Sequence, residues 1–286
     1  MAAALCLASV APPAAASYEV FVQAGHASAI TGVAASADGR WAVSVDAGGE
    51  LKLWDAATRR ESWRAAEVRG APAPRFSADG AWLIATNHAQ QLVAFDVASG
   101  APLFAVALPA APAPYTGALA LSGEAAGARA WVGLASGTVV AVNLATRQVE
   151  ASATVHGAPV VALAAAPAGL LTTGRDRRVA LHAFEGAGLT SAPRWSVTLP
   201  RAPRALALDH THGRAIVAMD FGGDARNKHF LAADLWLIDL ANGAKAGEEE
   251  GLLDANVQTL AVSPDGAWLA VGGGKPSASA RRRADA

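Results

Sequence analysis

Three stretches of this chain share one local pattern: Ser36-Ala37-Asp38-Gly39-Arg40-Trp41, Ser77-Ala78-Asp79-Gly80-Ala81-Trp82 and Ser263-Pro264-Asp265-Gly266-Ala267-Trp268. Each sets a Ser before an Asp-Gly pair, then a Trp that opens an apolar run. A turn that recurs this closely marks a unit used several times over, and a unit this short cannot bury a core alone. The chain must therefore fold as a series of like modules, each stabilised by its neighbours. Such an architecture constrains shape tightly and partner loosely.

The spacing of the turns narrows the choice. Gly39, Gly80, Gly127, Gly169, Gly213 and Gly266 lie 41, 47, 42, 44 and 53 residues apart. A period of about 40–50 residues is that of a four-stranded propeller blade. Apolar strands precede the markers at 30–34, 118–121, 160–164, 205–208 and 257–262, while the second unit offers only Arg75-Phe76. Third strands follow at 51–54, 92–95, 138–142, 179–182 and 235–240. Alternating apolar character with Gly, Asn and Asp in the gaps predicts strands, and no helical window is long enough to compete. The expected fold class is all-β: a β-propeller of four-stranded antiparallel blades, about six visible, the last incomplete.

With 286 residues and a formal net charge of −1, the chain has no field to draw in nucleic acid. The first residues differ from the rest. Met1–Val10 carries no charge, and Ala14-Ala15-Ala16 has the small-residue form that a signal peptidase accepts. No Lys or Arg precedes Arg40, so a basic n-region is missing. The segment is too short for a membrane span. The expected organisation is a signal peptide or disordered leader over 1–16, a propeller over 17–274 and a disordered tail over 275–286. Cys6, the single cysteine, falls in the leader after Leu5, which argues against a lipid-modified cysteine. The remainder holds no thiol for a disulfide, a nucleophile or haem attachment.

The first unit, Gly25-His26 through Trp54-Asp55, resembles a blade of the WD-repeat β-propeller family. The fourth keeps His156 four residues before Val160, as His26 stands four before Ile30, and keeps Asp176 ahead of Val179. The resemblance implies a hydrogen-bonded tetrad of His, Ser or Thr, Asp and Trp within a blade. His26 and Trp54 would be two members in the first blade; His156, Thr172 and Asp176 would be three in the fourth. The motifs depart elsewhere: Gly48 stands at the turn-Asp place, Phe95-Asp96 and Val142-Asn143 replace Trp-Asp, and His182 takes the Trp place. The resemblance spans 18–274 and implies that Tyr18–Val22 closes the ring on the last blade.

Candidate chemistry is sparse. Asp209-His210-Thr211-His212 has metal-ligand residue types, but an exposed hairpin turn explains it without further ligands. The insertion 221–233 carries Asp224, Arg226, Lys228 and His229, and loops on rigid scaffolds are where partner contacts concentrate. Trp41, Trp82, Trp131 and Trp268 share one place at the start of the second strand, which points to packing between blades. Trp63 and Arg64 are candidate partner anchors. Glu248-Glu249-Glu250 reads as a solvated loop between blades, and Arg281–Arg283 as incidental charge on a tail. No nucleophile elbow, phosphate loop, dinucleotide fingerprint or His-Glu-x-x-His occurs.

The functional expectation is a non-catalytic scaffold for protein partners, exported to the periplasm or secreted, with a cytoplasmic location as the alternative. No cofactor, metal, nucleic acid or membrane insertion is expected. The run Gly272-Gly273-Gly274-Lys275-Pro276-Ser277 resembles that of bacterial WD-repeat proteins joined to c-type cytochrome domains. It keeps a second reading open: the propeller part of a redox or quinoprotein-like enzyme, a fragment of a cytochrome c-linked protein. On either reading the sixth blade looks cut short.

Overall fold

The computed structural model describes residues 25–66, 68, 74–87, 89–109, 118–123, 127–220, 234–249, 257–263 and 265–273. Among them every regular element is a strand. The first blade is β1 (Ile30–Ala35), β2 (Trp41–Asp46), β3 (Leu51–Asp55) and β4 (Arg60–Ala65). The second is β5 (Arg75–Phe76), β6 (Trp82–Thr86), β7 (Gln91–Asp96) and β8 (Pro102–Ala107). The third is β9 (Leu119–Ser122), β10 (Arg129–Gly133), β11 (Thr138–Asn143) and β12 (Gln148–Thr154). In the fourth, β13 (Val160–Ala166), β14 (Gly169–Gly174) and β15 (Arg178–His182) are joined to β18 (Trp195–Thr198) through a small hairpin, β16 (Phe184–Glu185) and β17 (Gly188–Leu189). The fifth is β19 (Pro203–Asp209), β20 (Arg214–Met219), β21 (Leu235–Asp239) and β22 (Lys245–Glu249). A two-stranded sheet of β23 (Val257–Val262) and β24 (Leu269–Gly273) follows.

Strand order in each blade follows the chain, and neighbours are antiparallel. The described residues thus form five four-stranded blades, not the six expected. The innermost strands touch in sequence, β1 with β5, β5 with β9, β9 with β13, β13 with β19 and β19 with β23, which arranges the sheets around an axis.

Cohesion comes from between the sheets. In β6, Leu83 and Ala85 join a cluster with Val43, Val45, Leu51 and Leu53 of the first blade. Ile84, between them in sequence, points the other way, to Leu119, Ala130 and Val132 of the third. The same alternation recurs in β20, where Ala215 and Val217 meet the fourth blade and Ile216 and Ala218 meet Val257 and Leu260. Period-two apolar residues on a sheet buried on both faces require such neighbours.

The repeated Ser-x-Asp-Gly turn closes β1 onto β2 and β5 onto β6 in one geometry. Asp38 accepts from the Ser36 hydroxyl and the Arg40 N–H, and Ser36 Oγ accepts from the Trp41 N–H. Ser77, Asp79 and Trp82 repeat the pattern, as do Ser263, Asp265 and Trp268. Each turn places its Gly at φ 69°, left-handed backbone that favours glycine. Trp41 and Trp82, which follow two of these turns, pack half-buried against inter-blade clusters, and Trp131 within β10 is buried. Trp268 departs from the expected packing: it is 78% exposed, because the described residues place no further sheet beyond β23 and β24.

Two further corrections concern outer strands. Glu248 and Glu249 lie in β22, not in a loop, where an outer edge strand tolerates charge. Trp63 on β4 turns inward: its indole N–H donates to Val97 O at 2.8 Å, and the ring covers Gly100 of the second blade. Trp195 on β18 repeats this on Leu240 O and Gly243 of the fifth blade.

Candidate interaction face

Strands that alternate up and down put the turns between second and third strands at the same end as the links between blades. At that end the first blade carries a connected polar group. His26, on the segment leading into β1, lies with Nε2 2.6 Å from Ser44 Oγ on β2. Ser44 Oγ also accepts from the Trp54 indole on β3 at 2.8 Å. One hydroxyl therefore ties the blade's leading segment to two strands. On the other side of the ring, His26 Nδ1 faces Asp46 Oδ2 at 3.1 Å, an electrostatic contact without hydrogen-bond alignment.

A buried cation adjoins this group. Lys52 is 1% exposed, with Nζ 3.5 Å from Glu50 Oε2, 3.3 Å from Glu61 Oε2 and 3.3 Å from the Gly25 carbonyl. Arg64 at the rim pairs with both carboxylates, at 3.4 Å and 2.6 Å. His26, Asp46 and Glu50 converge closely enough to serve as metal ligands. The ammonium of Lys52 already supplies positive charge to Glu50, so one of the two carboxylates has a counter-charge within the blade.

In the fourth blade, His156 Nδ1 lies 3.0 Å from Asp176 Oδ1 and Nε2 lies 2.9 Å from Thr172 Oγ1. Asp176 also accepts from the Gly157 N–H at 3.1 Å and the Arg178 N–H at 3.2 Å. His182 stands in the register position of Trp54, since Leu170 pairs with His182 as Ala42 pairs with Trp54. Its ring reaches the Thr190 carbonyl at 3.1 Å rather than Thr172, and its Nε2 is buried without a partner.

A family model described as WD domain, G-beta repeat matches residues 17–55, the span that holds His26, Ser44 and Trp54. The chain folds as a β-propeller whose first blade matches the WD-repeat model. A chain in the structure named "Crystal Structure of Mitotic Checkpoint Complex" superposes on it with a TM-score of 0.70. The two are 16% identical, and the match covers 88% of this chain and 73% of that one, a likeness that speaks to fold. In all, 1663 solved chains match the propeller, too many for fold by itself to select a function. No curated protein matches the sequence.

Electrostatics in the propeller follow from burial. Burial opposes ionisation of Asp46, yet the Glu50 N–H and the His26 ring outweigh it and hold the carboxyl below its ordinary range. His156 is pushed below the usual histidine value by burial, which the Asp176 charge and hydrogen bond only partly offset. His182 is lowered by burial as well, against the opposing Thr190 carbonyl.

Other sequence candidates fall apart from this face or outside the described residues. Asp209 accepts from the His212 N–H and lies 2.8 Å from its ring, a turn closure at the opposite end. Asp224, Arg226, Lys228 and His229 lie outside the described residues, as do residues 1–16, Tyr18–Val22 and Arg281–Arg283. Among the described residues no helix is long and apolar enough to cross a membrane. Sequence reasoning missed Ser44, Asp46 and Lys52. A signal was present, since the spacing from Ser44 to Trp54 equals that from Thr172 to His182.

Proposed function

We propose that this WD-repeat propeller is a non-catalytic scaffold that holds protein partners at the end of the disc where second and third strands connect. The observation that carries this reading is the rigid display of charge there. Glu50 and Arg64 stand on one blade and Arg175, Arg177 and Arg178 on another, all anchored to paired strands. Positioned side chains on a stiff frame suit protein recognition, in which a few anchors set affinity. The WD-repeat match and the likeness to a chain of a multi-protein complex support it.

The reading includes a sixth blade begun by β23 and β24, and export, supported by the uncharged leader ending in Ala14-Ala15-Ala16. N-terminal sequencing of the mature protein tests export: a start near Ser17 supports it, and a start at Met1 overturns it. A photo-crosslinking residue at Ser136, on the proposed face, is expected to capture a discrete protein. The same residue at Asp38, on the opposite end, is expected to capture none. Equal labelling at both ends, or none at either, overturns the scaffold reading.

A further inference from the structure

The turn between β14 and β15 reads Gly174-Arg175-Asp176-Arg177-Arg178. Resting on the scaffold reading, we propose that this turn is the seat for an acidic segment of the partner, its Asp and Glu side chains received by Arg175 and Arg177.

The first argument concerns pairing. Arg64, Arg129, Arg201 and Arg204 each form an ion pair with a carboxylate. Arg175 and Arg177 are exposed and form none among the described residues. Asp176 between them is committed elsewhere, its two oxygens taken by the His156 ring and by the N–H groups of Gly157 and Arg178. Arg178 is turned aside, with Nε and Nη2 donating to Ser196 Oγ at 3.1 and 2.8 Å. Two guanidinium forks thus remain for an outside anion.

The second argument concerns backbone. In four blades this turn closes with the same bond, from the N–H of Gly49, Gln90, Gly137 and Arg177 to the carbonyl three residues earlier. All four residues are left-handed, at φ 91°, 55°, 82° and 66°. The turn therefore asks for glycine, and two blades supply it. Arg177 takes up that strained place with a side chain that forms no hydrogen bond or ion pair among the described residues. Its guanidinium is useful to the surface, not to the fold.

The third argument is rigidity. The Arg175 N–H donates to Pro159 O at 2.9 Å, and the Leu199 N–H donates to Arg177 O at 2.7 Å. Both flanks are fixed to adjoining segments, so the backbone that carries the two arginines is ordered before a ligand arrives, which lowers the ordering cost of binding. Planar guanidinium groups match carboxylates with two parallel hydrogen bonds. The net charge of −1 gives no general pull on polyanions, which favours a short acidic segment over nucleic acid.

Fluorescence anisotropy with a labelled poly-glutamate peptide and the full chain tests this. Binding that weakens with salt is expected, and R175S with R177G together should weaken it roughly tenfold. R177G should meanwhile leave the melting temperature unchanged or raise it, separating lost binding from lost folding. Arg214→Ser, at the opposite end, should leave affinity unchanged. Absence of poly-glutamate binding, equal binding by the double variant, loss in R214S, or preference for an oligothymidylate would each overturn the proposal. Crosslinking at Ser136 reads the scaffold separately: a partner captured there whose binding ignores both arginines defeats this inference alone.

Discussion

Asp46 and Gly174 occupy the same place in two blades: Asp46 pairs with Ile30 at the start of β1, and Gly174 pairs with Val160 at the start of β13. Two residues on, the identities reverse, with Gly48 in the first blade and Asp176 in the fourth. Either way a carboxylate meets the blade's histidine, through Asp46 for His26 and through Asp176 for His156. A Cβ added at Gly174 would fall 2.6 Å from the His156 ring, and one at Gly48 would fall 3.1 Å from Asp46 Oδ1. There is room for one carboxylate in each blade, reached from either position.

That exchange is testable. Asp46→Gly removes the acceptor for the Glu50 N–H and the partner of His26, at a cost of about 1–3 kcal/mol. Adding Gly48→Asp should restore at least half of the loss, because the vacated space lies beside its Cβ. Urea midpoints of the two single variants and the double variant decide it; a double variant no better than Asp46→Gly alone would refute the exchange.

The contact of Trp63 with Gly100 predicts strong coupling between blades. Gly100 has φ 72°, and an added Cβ would sit 2.7 Å from the indole ring. Gly100→Ala should destabilise by about 2–3 kcal/mol. Trp63→Ala removes the obstacle, so the double variant should cost less than the sum of the singles. Strict additivity in chemical denaturation would show that the ring does not constrain Gly100. Gly243 beneath Trp195 should behave alike.

Lys52→Met would leave Glu50 and Glu61 facing each other without the buried ammonium. Breaking a fully buried pair is strongly destabilising, but these carboxylates are partly exposed and Arg64 shares them, so about 2 kcal/mol is expected near neutral pH. An unchanged urea midpoint would mean that the ammonium contributes nothing that a Met side chain does not.

His156 and His182 predict a pH dependence of stability. Burial leads in lowering both below the ordinary histidine value. The unfolded chain protonates these groups at about pH 6.5 and the folded chain only lower down, so between those values the unfolded state binds more protons. Stability from this source is full above about pH 6.5 and declines as pH drops toward the folded values. The melting temperature should fall between about pH 7.5 and pH 5.5, and less so in His182→Gln. A flat profile, or an equal fall in the variant, would place the linkage elsewhere.

The sequence by itself determined the blades. Ser-x-Asp-Gly turns and alternating apolar strands act over a few residues, so the local chain dictates them, down to the meagre β5 at Arg75-Phe76. It also carried His26, Trp54, His156, Thr172 and Asp176 as residues of interest, through the likeness to a WD-repeat blade. Tertiary structure alone decided what those residues meet. Asp46 serves His26 because the bend from β2 into β3 returns its carboxylate to a segment before β1, which linear spacing does not encode. Trp63, which looks like a surface anchor in the chain, belongs to the seam with the second blade because Val97 and Gly100 arrive beside it only when sheets stack. Lys52 is buried for the same reason: carboxylates from β4 and from the turn before β3 converge on it, and that convergence exists only in three dimensions.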